Sequence, residues 1–405
     1  MRSVPTHWSK CHTVRTGVAA ALVLGLAACG GPTPTPGSDP DSDPSGEGGS
    51  GPIELNILDV GGVLAFTQPM IEAYVADNPD LISSVTFQQA PSTELSGLLQ
   101  AQQESDNLMV DLVLSGSDAI GAGIVNDLWD PISDNEDAIP AMESYTEEAQ
   151  SIYDAYDGNA LVIATEFTGP ILEFNPAAVD DPPETAEELL EWAEANPGRF
   201  TYPQPPSSGP GRQFLMGLPY ILGDDDPTDP ENGWDKTWAY LAELDQYVAP
   251  YPNSTGSAFE NLARGGIDMM ASAAGWDMGQ RQQGAIPLEF EIGTIEDWNW
   301  ILAGHFAAIP AGLDEERRDV VLGLLDGMLA ESFQVGIYGA QEKIMPGPAI
   351  EGVSLEDAPS EVQDAIEQYN RPEYEELFEA APTAVELPPE TMSVMFSRWE
   401  REIGS

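Results

Sequence analysis

From residue 53 onward the chain alternates two kinds of apolar spacing. Ile53 to Leu58 (IELNIL) repeats every second residue, the period of a half-buried strand, and ends in Asp59-Val-Gly61-Gly62, a turn. Thr67 and Pro69 open a helical stretch in which Met70, Ile71 and Tyr74 share a face, and Asn78-Pro79 closes it. Val85-Thr-Phe87 predicts a second strand and Ser92 to Ser105 a second helix. Val110-Asp-Leu-Val-Leu114 predicts a nearly continuous apolar strand running into Ser115-Gly116-Ser117-Asp118. Strand, helix, strand, helix and buried strand together predict a parallel, doubly wound α/β sheet. Further on, Leu161 to Ala164 and Pro170 to Phe174 flank Thr165-Glu166-Phe167-Thr168-Gly169, and Ile267 to Gly275 reads as a strand. Thr185 and Glu188 form a capping box before Leu189, Leu190 and Ala193, and Asn196-Pro197-Gly198 stops that helix. Asp314 caps a helix whose Val320, Val321, Leu324, Leu325 and Met328 recur at helical spacing. At 405 residues the chain exceeds the roughly 250–300 that one core supports, so two lobes are expected.

Charge narrows the chemistry. Lys and Arg number 14 against 69 Asp and Glu, a formal net charge of −55. Such a surface repels phosphate backbones and excludes nucleic-acid binding. None of the lysines (Lys10, Lys236, Lys343) stands in a Gly-Lys-Ser/Thr triplet, which excludes a P-loop. So many acids exceed what one cleft can hold, so most form a solvated face, and a lysine-poor acidic surface suits a salty habitat. Histidine occurs at His7, His12 and His305, and cysteine at Cys11 and Cys29. Once the N-terminus is removed, His305 alone remains, which rules out a multi-His metal site; no metal and no cofactor are expected. The apolar flanks of His305 (Ala-Gly-His-Phe-Ala) read as a buried strand rather than a catalytic triad.

Arg2, Lys10 and Arg15 precede the apolar run Gly17 to Ala28, the pattern of a secretory signal and too short to span a bilayer as a helix of about 20 residues. Gly30 to Pro52 is almost wholly Gly, Pro, Ser, Thr and Asp, a composition that buries too little apolar surface to fold and reads as a tether. Leu26-Ala27-Ala28-Cys29 resembles the bacterial lipobox. That resemblance implies that residues 1–28 are removed as a signal peptide and that Cys29 is acylated. Residues 29–52 would then tether a body, 53–405, to the extracytoplasmic face of the cell membrane.

The lipobox, the spacer and the βαβαβ start resemble a substrate-binding lipoprotein of a bacterial ABC importer. The later order of segments is similar to the branch that includes polyamine, thiamine and ferric-ion binders. It is carried by Tyr156 to Ala164 (YDGNALVIA) leading to Leu172-Glu-Phe-Asn-Pro176, by Gly198-Arg-Phe-Thr-Tyr-Pro203, and by Phe306-Ala-Ala-Ile-Pro310 leading to Met328-Leu-Ala-Glu-Ser-Phe-Gln334. The resemblance implies a two-lobed, type II periplasmic-binding-protein-like fold with two hinge crossings, near Ala164–Gly169 and Ile295–Ile301. Lobe one would be about 53–164 and 301–405, and lobe two about 165–300. It further implies a monomer with no catalytic residues that traps a small polar solute and delivers it to permease subunits.

Parallel sheets bind ligands beyond the carboxyl ends of their strands, so the loops there supply the candidates. Gly61 and Gly62 can bring backbone N–H groups to a ligand or make a plain turn. Ser115, Ser117 and Asp118 offer hydroxyls and a charge, or a helix cap. Glu166 and Phe167 sit at the first expected crossing. Ser207 and Ser208 open the segment Ser207-Ser-Gly-Pro-Gly-Arg212 before an apolar helix, where free N–H groups suit an anion. Trp276 with Asp277, and Trp298 with Trp300, place aromatics beside polar residues, able to stack on a sugar or cation or to be core. No Tyr-Tyr pair occurs, which argues against iron; polyamines, thiamine-like cations and sugars stay open, and Arg212, Arg264 and Arg281 leave an anion open. The alternative class is a secreted, lipid-anchored carbohydrate-active hydrolase using paired carboxylates such as Glu166 and Asp277.

Overall fold

The computed structural model describes residues 51–341 and 343–404. The chain divides into Met1–Gly49 and Ser50–Ser405, and all described residues belong to the second unit. The expected signal peptide, Cys29 and the expected tether as far as residue 50 lie outside them.

The first stretch runs β1 (Ile53–Asp59), α1 (Leu64–Asp77), β2 (Ile82–Gln89), α2 (Leu95–Glu104), β3 (Leu112–Gly116), α3 (Ser117–Val125), β4 (Trp129–Asp130), α4 (Glu147–Ala155) and β5 (Leu161–Phe167). The second runs β6 (Ile171–Phe174), α5 (Ala186–Ala195), β7 (Phe200–Thr201), α6 (Gly209–Ile221), α7 (Asp235–Leu244), α8 (Thr255–Ala263), β8 (Met269–Ser272), α9 (Trp276–Gln282) and β9 (Glu291–Gly293). The return comprises β10 (Trp300–Pro310), α10 (Glu315–Met328), α11 (Glu331–Gln341), β11 (Gly347–Pro348), α12 (Ser360–Tyr369), α13 (Glu373–Ala380), β12 (Thr383–Val385) and α14 (Pro389–Glu402).

A large sheet has the order β11-β5-β10-β3-β1-β2, with β4 and β12 also on β10, and a smaller one has the order β7-β8-β6-β9. In the large sheet β1 runs parallel to both β2 and β3, the doubly wound start that the apolar spacing predicts. β10 is antiparallel to β3 and β5. The reason is topological: β5 leaves the large sheet toward the small one, and β10 re-enters where β5 left. The chain therefore passes between the sheets at 168–170 and again at 294–299. Thr168 donates its backbone N–H to the Ile301 carbonyl at 3.0 Å, so the two passages lie side by side.

Each sheet carries its own core. Leu55, Ile57, Leu112, Val113, Leu161, Ile163 and Phe306 are buried in the first, with Leu324 and Leu325 of α10 against them. Phe174, Leu189, Phe200, Tyr202, Phe214 and Leu241 make the second. Met392, Met395 and Trp399 of α14 also belong to the second core, and the Trp399 indole donates to the Tyr202 hydroxyl at 3.0 Å. An assignment of everything after 301 to lobe one thus does not describe α14. A third connection, β12, lies parallel to β10 from Trp300 to Leu302 and leads the chain to it.

Local chemistry explains the element ends. α1 begins at Leu64, before the expected Thr67, because the buried Asp59 carboxylate accepts from the N–H groups of Val63 (3.0 Å) and Leu64 (3.3 Å). Thr185 and Glu188 make the reciprocal capping box of α5, and Asp314 caps α10 through the Arg317 N–H.

Candidate functional site

A cavity of about 210 Å³ lies between the two sheets, walled by Gly61, Ser92, Ser115, Gly116, Ser117, Glu166, Arg212, Trp276, His305 and Glu386 among others. The first lobe supplies its wall from the loops after β1 and β3. Asp59 fixes the former by accepting from the Gly61 N–H at 3.1 Å. Gly61 lies so close to the start of α3 that a Cβ there would collide with the backbone nitrogen of Gly116, so only glycine fits. The Ser115 hydroxyl donates to the Gly116 carbonyl at 2.8 Å.

The second lobe supplies Arg212 and Trp276. Arg212 projects from the first turn of α6, and its Nε stands 2.8 Å from Glu386 Oε1. Glu386 follows β12, is 3% exposed, and donates its backbone N–H to the Leu302 carbonyl at 2.9 Å. Trp276 is 40% exposed and packs over Gly209 at the start of α6. Its placement is fixed from behind. Gly275, at φ +74°, donates its N–H to the Tyr374 hydroxyl at 3.2 Å, and that hydroxyl donates to Asp277 Oδ1 at 3.0 Å.

The large-sheet strands that lead into and out of the passage supply Glu166 on β5 and His305 on β10. Glu166 Oε1 and His305 Nε2 are 3.3 Å apart, and the His305 ring meets Phe66 edge-on at 5.0 Å. Burial pushes the Glu166 carboxyl up, but His305, with Lys343 and Arg212 farther off, outweighs it and holds the group below the usual carboxylate range. Glu166 is therefore an ionised acceptor at the cavity base.

Of the sequence-predicted residues, Gly61, Ser115, Ser117, Glu166 and Trp276 come together here. Gly62, Phe167, Ser207, Ser208, Asp277, Trp298 and Trp300 do not line the cavity. Gly62 is exposed in the turn beside it. Asp118 lies in the first turn of α3, but its side chain is outside the described residues. The Ser207 hydroxyl donates to the Asn253 carbonyl at 2.9 Å, and Ser208 pairs with Thr255 at 2.7 Å, so both serines bind the neighbouring loop.

Phe167, Trp298 and Trp300 form an aromatic cluster with Phe378. Trp300 is fully buried, 4.4 Å from Trp298 between ring centroids, and donates its indole N–H to the Leu377 carbonyl. Trp298 and Trp300 are core, because Tyr374, Leu377 and Phe378 of α13 pack with them, while Phe167 stays half-buried at the edge of the cluster. Asp277 is also buried, bound by Arg371 Nε and Tyr374. Arg371 reaches Glu173 as well, at 3.2 Å. Burial and the nearby Asp277 push the Glu173 carboxyl up to about 8 against the pull of Arg371.

Sequence reasoning did not single out Ser92 or Glu386, named Arg212 only as leaving an anion open, and read His305 as part of a buried strand. Arg212 was within sight, five residues past Ser207 in the same glycine-rich segment. His305 had a signal too, as a histidine in a strand next to an expected crossing. Glu386 gave none, since it reaches the cavity only through the pairing of β12 with β10.

A two-lobed body with a cavity between its sheets has relatives of known kind. Residues 69–364 match the sequence pattern of the bacterial extracellular solute-binding proteins. The chain belongs to that family. Among curated proteins, YnjB of Escherichia coli is 44% identical over 68 residues, which cover 16% of this chain and only 17% of that protein. An ABC transporter protein from Clostridium perfringens superposes with a TM-score of 0.63 at 16% identity, over 86% of this chain and 99% of that one. The cyclic α-maltosyl-1,6-maltose binding protein of Arthrobacter globiformis gives 0.62 at 17% identity, over 87% and 94%. The shared architecture is the two-lobed binding-protein fold, and the family is one of extracytoplasmic solute-binding proteins rather than enzymes.

Proposed function

We propose that this family member is tethered to the cell membrane through an acylated Cys29, captures a small polar solute in the cavity between its sheets, and presents it to an ABC permease. The observation that carries the reading is the origin of the cavity wall. Gly61, Ser115 and Ser117 come from one lobe, Arg212 and Trp276 from the other, and Glu166 and His305 from the large-sheet strands that border the passage. A solute touching both sides favours the arrangement in which they approach, the linkage on which capture depends. The sugar-binding neighbour makes hydroxylated solutes a natural group to test; polyamines and thiamine belong in the same screen.

The test is a thermal-shift screen of the purified protein with sugars, amino acids, thiamine and polyamines. A specific solute at a hundred times its Kd adds about 2.7 kcal/mol of stability. Absence of any shift across the classes would sink the capture reading. The anchor is tested separately: Cys29→Ser should abolish fatty-acid labelling and release the protein from the membrane fraction. Hydrolysis by paired carboxylates finds no support, since Asp277 is fully buried against Arg371 and Tyr374 instead of facing Glu166.

A further inference from the structure

We infer that the captured solute carries an oxyanion head, a phosphate or a carboxylate, received by Ser117, the start of α3 and Arg212. The inference rests on the capture reading and adds the chemistry of the group captured. α3 starts at Ser117 after an extended Gly116, an N-cap residue that has no side chain to bond the first turn. The leading N–H groups of a helix lack partners within it and carry the positive end of its dipole, which together favour an anion.

A second observation is independent of the helix. Ser117 is 7% exposed, lines the cavity, and its hydroxyl has no hydrogen-bond partner among the described residues. A hydroxyl so placed is open to the cavity and can donate to a solute oxygen there. The third is Arg212, one of only 14 Lys and Arg in a chain with 69 acids, projecting from the opposite lobe into the same cavity. A guanidinium offers five donors in a plane that matches phosphate and carboxylate oxygens.

The acids of the cavity point the same way. Glu166 faces His305 at 3.3 Å and Glu386 faces Arg212 at 2.8 Å, so each carboxylate already has a partner side chain beside it. A polyamine would have to draw a carboxylate away from its neighbour. An oxyanion adds to Ser117, α3 and Arg212 with both pairs intact. The ionised Glu166 then accepts from hydroxyls on the solute body, and Trp276 offers a face for the ring. The class is a small hydroxylated organic anion.

The experiment titrates the protein with glucose 6-phosphate, inorganic phosphate, gluconate, glucose and spermidine, following tryptophan emission and the thermal midpoint at low and high salt. Binding of glucose 6-phosphate or phosphate without gluconate identifies a phosphate head, and the reverse a carboxylate. Either should weaken with salt and by about tenfold or more in both Ser117→Ala and Arg212→Gln, as loss of a charge-assisted hydrogen bond implies. If Arg212→Gln does not fold, Ser117→Ala decides. Anion binding unchanged in the variants overturns the inference, because the anion then sits elsewhere. Binding of spermidine or glucose, with no anion bound or competing, overturns it while the capture reading stands. Silence from every probe overturns both.

Discussion

Trp276 and Trp300 live in opposite surroundings. Trp300 begins an 11-residue strand, is fully buried, and is ringed by Trp298, Phe167 and Phe378. Trp276 begins a short helix after a left-handed glycine, lines the cavity and keeps 40% of its surface exposed. Their neighbours in sequence are similar, each having an acid within three residues. What separates them is covering: α13 lies over one, and nothing among the described residues covers the open face of the other to that degree. A tryptophan beside an acid therefore marks no binding surface until the return of the chain is known.

The contrast can be broken by substitution. Trp300→Ala should cost about 3–5 kcal/mol of stability, the usual price of emptying a large aromatic site, read from denaturant unfolding. Arg371→Ala should cost a similar amount, about 3–5 kcal/mol, because it strands Asp277 as a buried carboxylate without its cation and leaves Glu173 without a partner beside it. If either variant unfolds like the wild type, the covered side is not the structural one.

The same buried group gives a pH signature. Glu173 sits at about 8 in the folded protein, above the ordinary carboxylate value of 4.5, so the native state holds a proton that the unfolded chain releases. Its contribution to stability is complete below about 4.5 and is lost as pH rises through about 8. Glu173→Gln should flatten the fall of thermal midpoint between those limits; a slope unchanged in that variant would assign it to other groups.

Smaller effects sharpen the comparison. Tyr374→Phe removes the hydroxyl that joins Gly275 to Asp277 and should cost about 1–3 kcal/mol while shifting the emission of Trp276. Trp276→Ala should change stability by no more than about 0.5 kcal/mol, as for exposed positions generally. If the ring is a solute anchor, the same variant weakens binding by about 2 kcal/mol, near thirtyfold. A large stability loss in Trp276→Ala would make both tryptophans structural.

Local pattern made the frame legible. The alternation at Ile53–Leu58, the apolar run at Val110–Leu114 and the caps at Thr185 and Asp314 depend on near neighbours, so spacing reveals them. Gly61, Ser115, Ser117 and Glu166 were legible because strand ends in such sheets face the cleft. What escaped depends on distant pairing. Glu386 is brought to Arg212 from 174 positions away by a three-residue strand, too short to carry a period. Arg371 and Tyr374 hold the Trp276 turn across almost a hundred positions, and no local signal marks them.

β12 has a mechanical consequence. With it, the passage near Trp300–Leu302 is a ribbon in which β10 bonds to β12 along one edge and to the end of β5 along the other. Such a ribbon acts as a leaf spring: hydrogen bonds resist sliding within its plane, while flexing across the plane strains few of them. The lobes are thereby steered toward a swing, the motion that changes the width of the gap without sliding its two walls past each other.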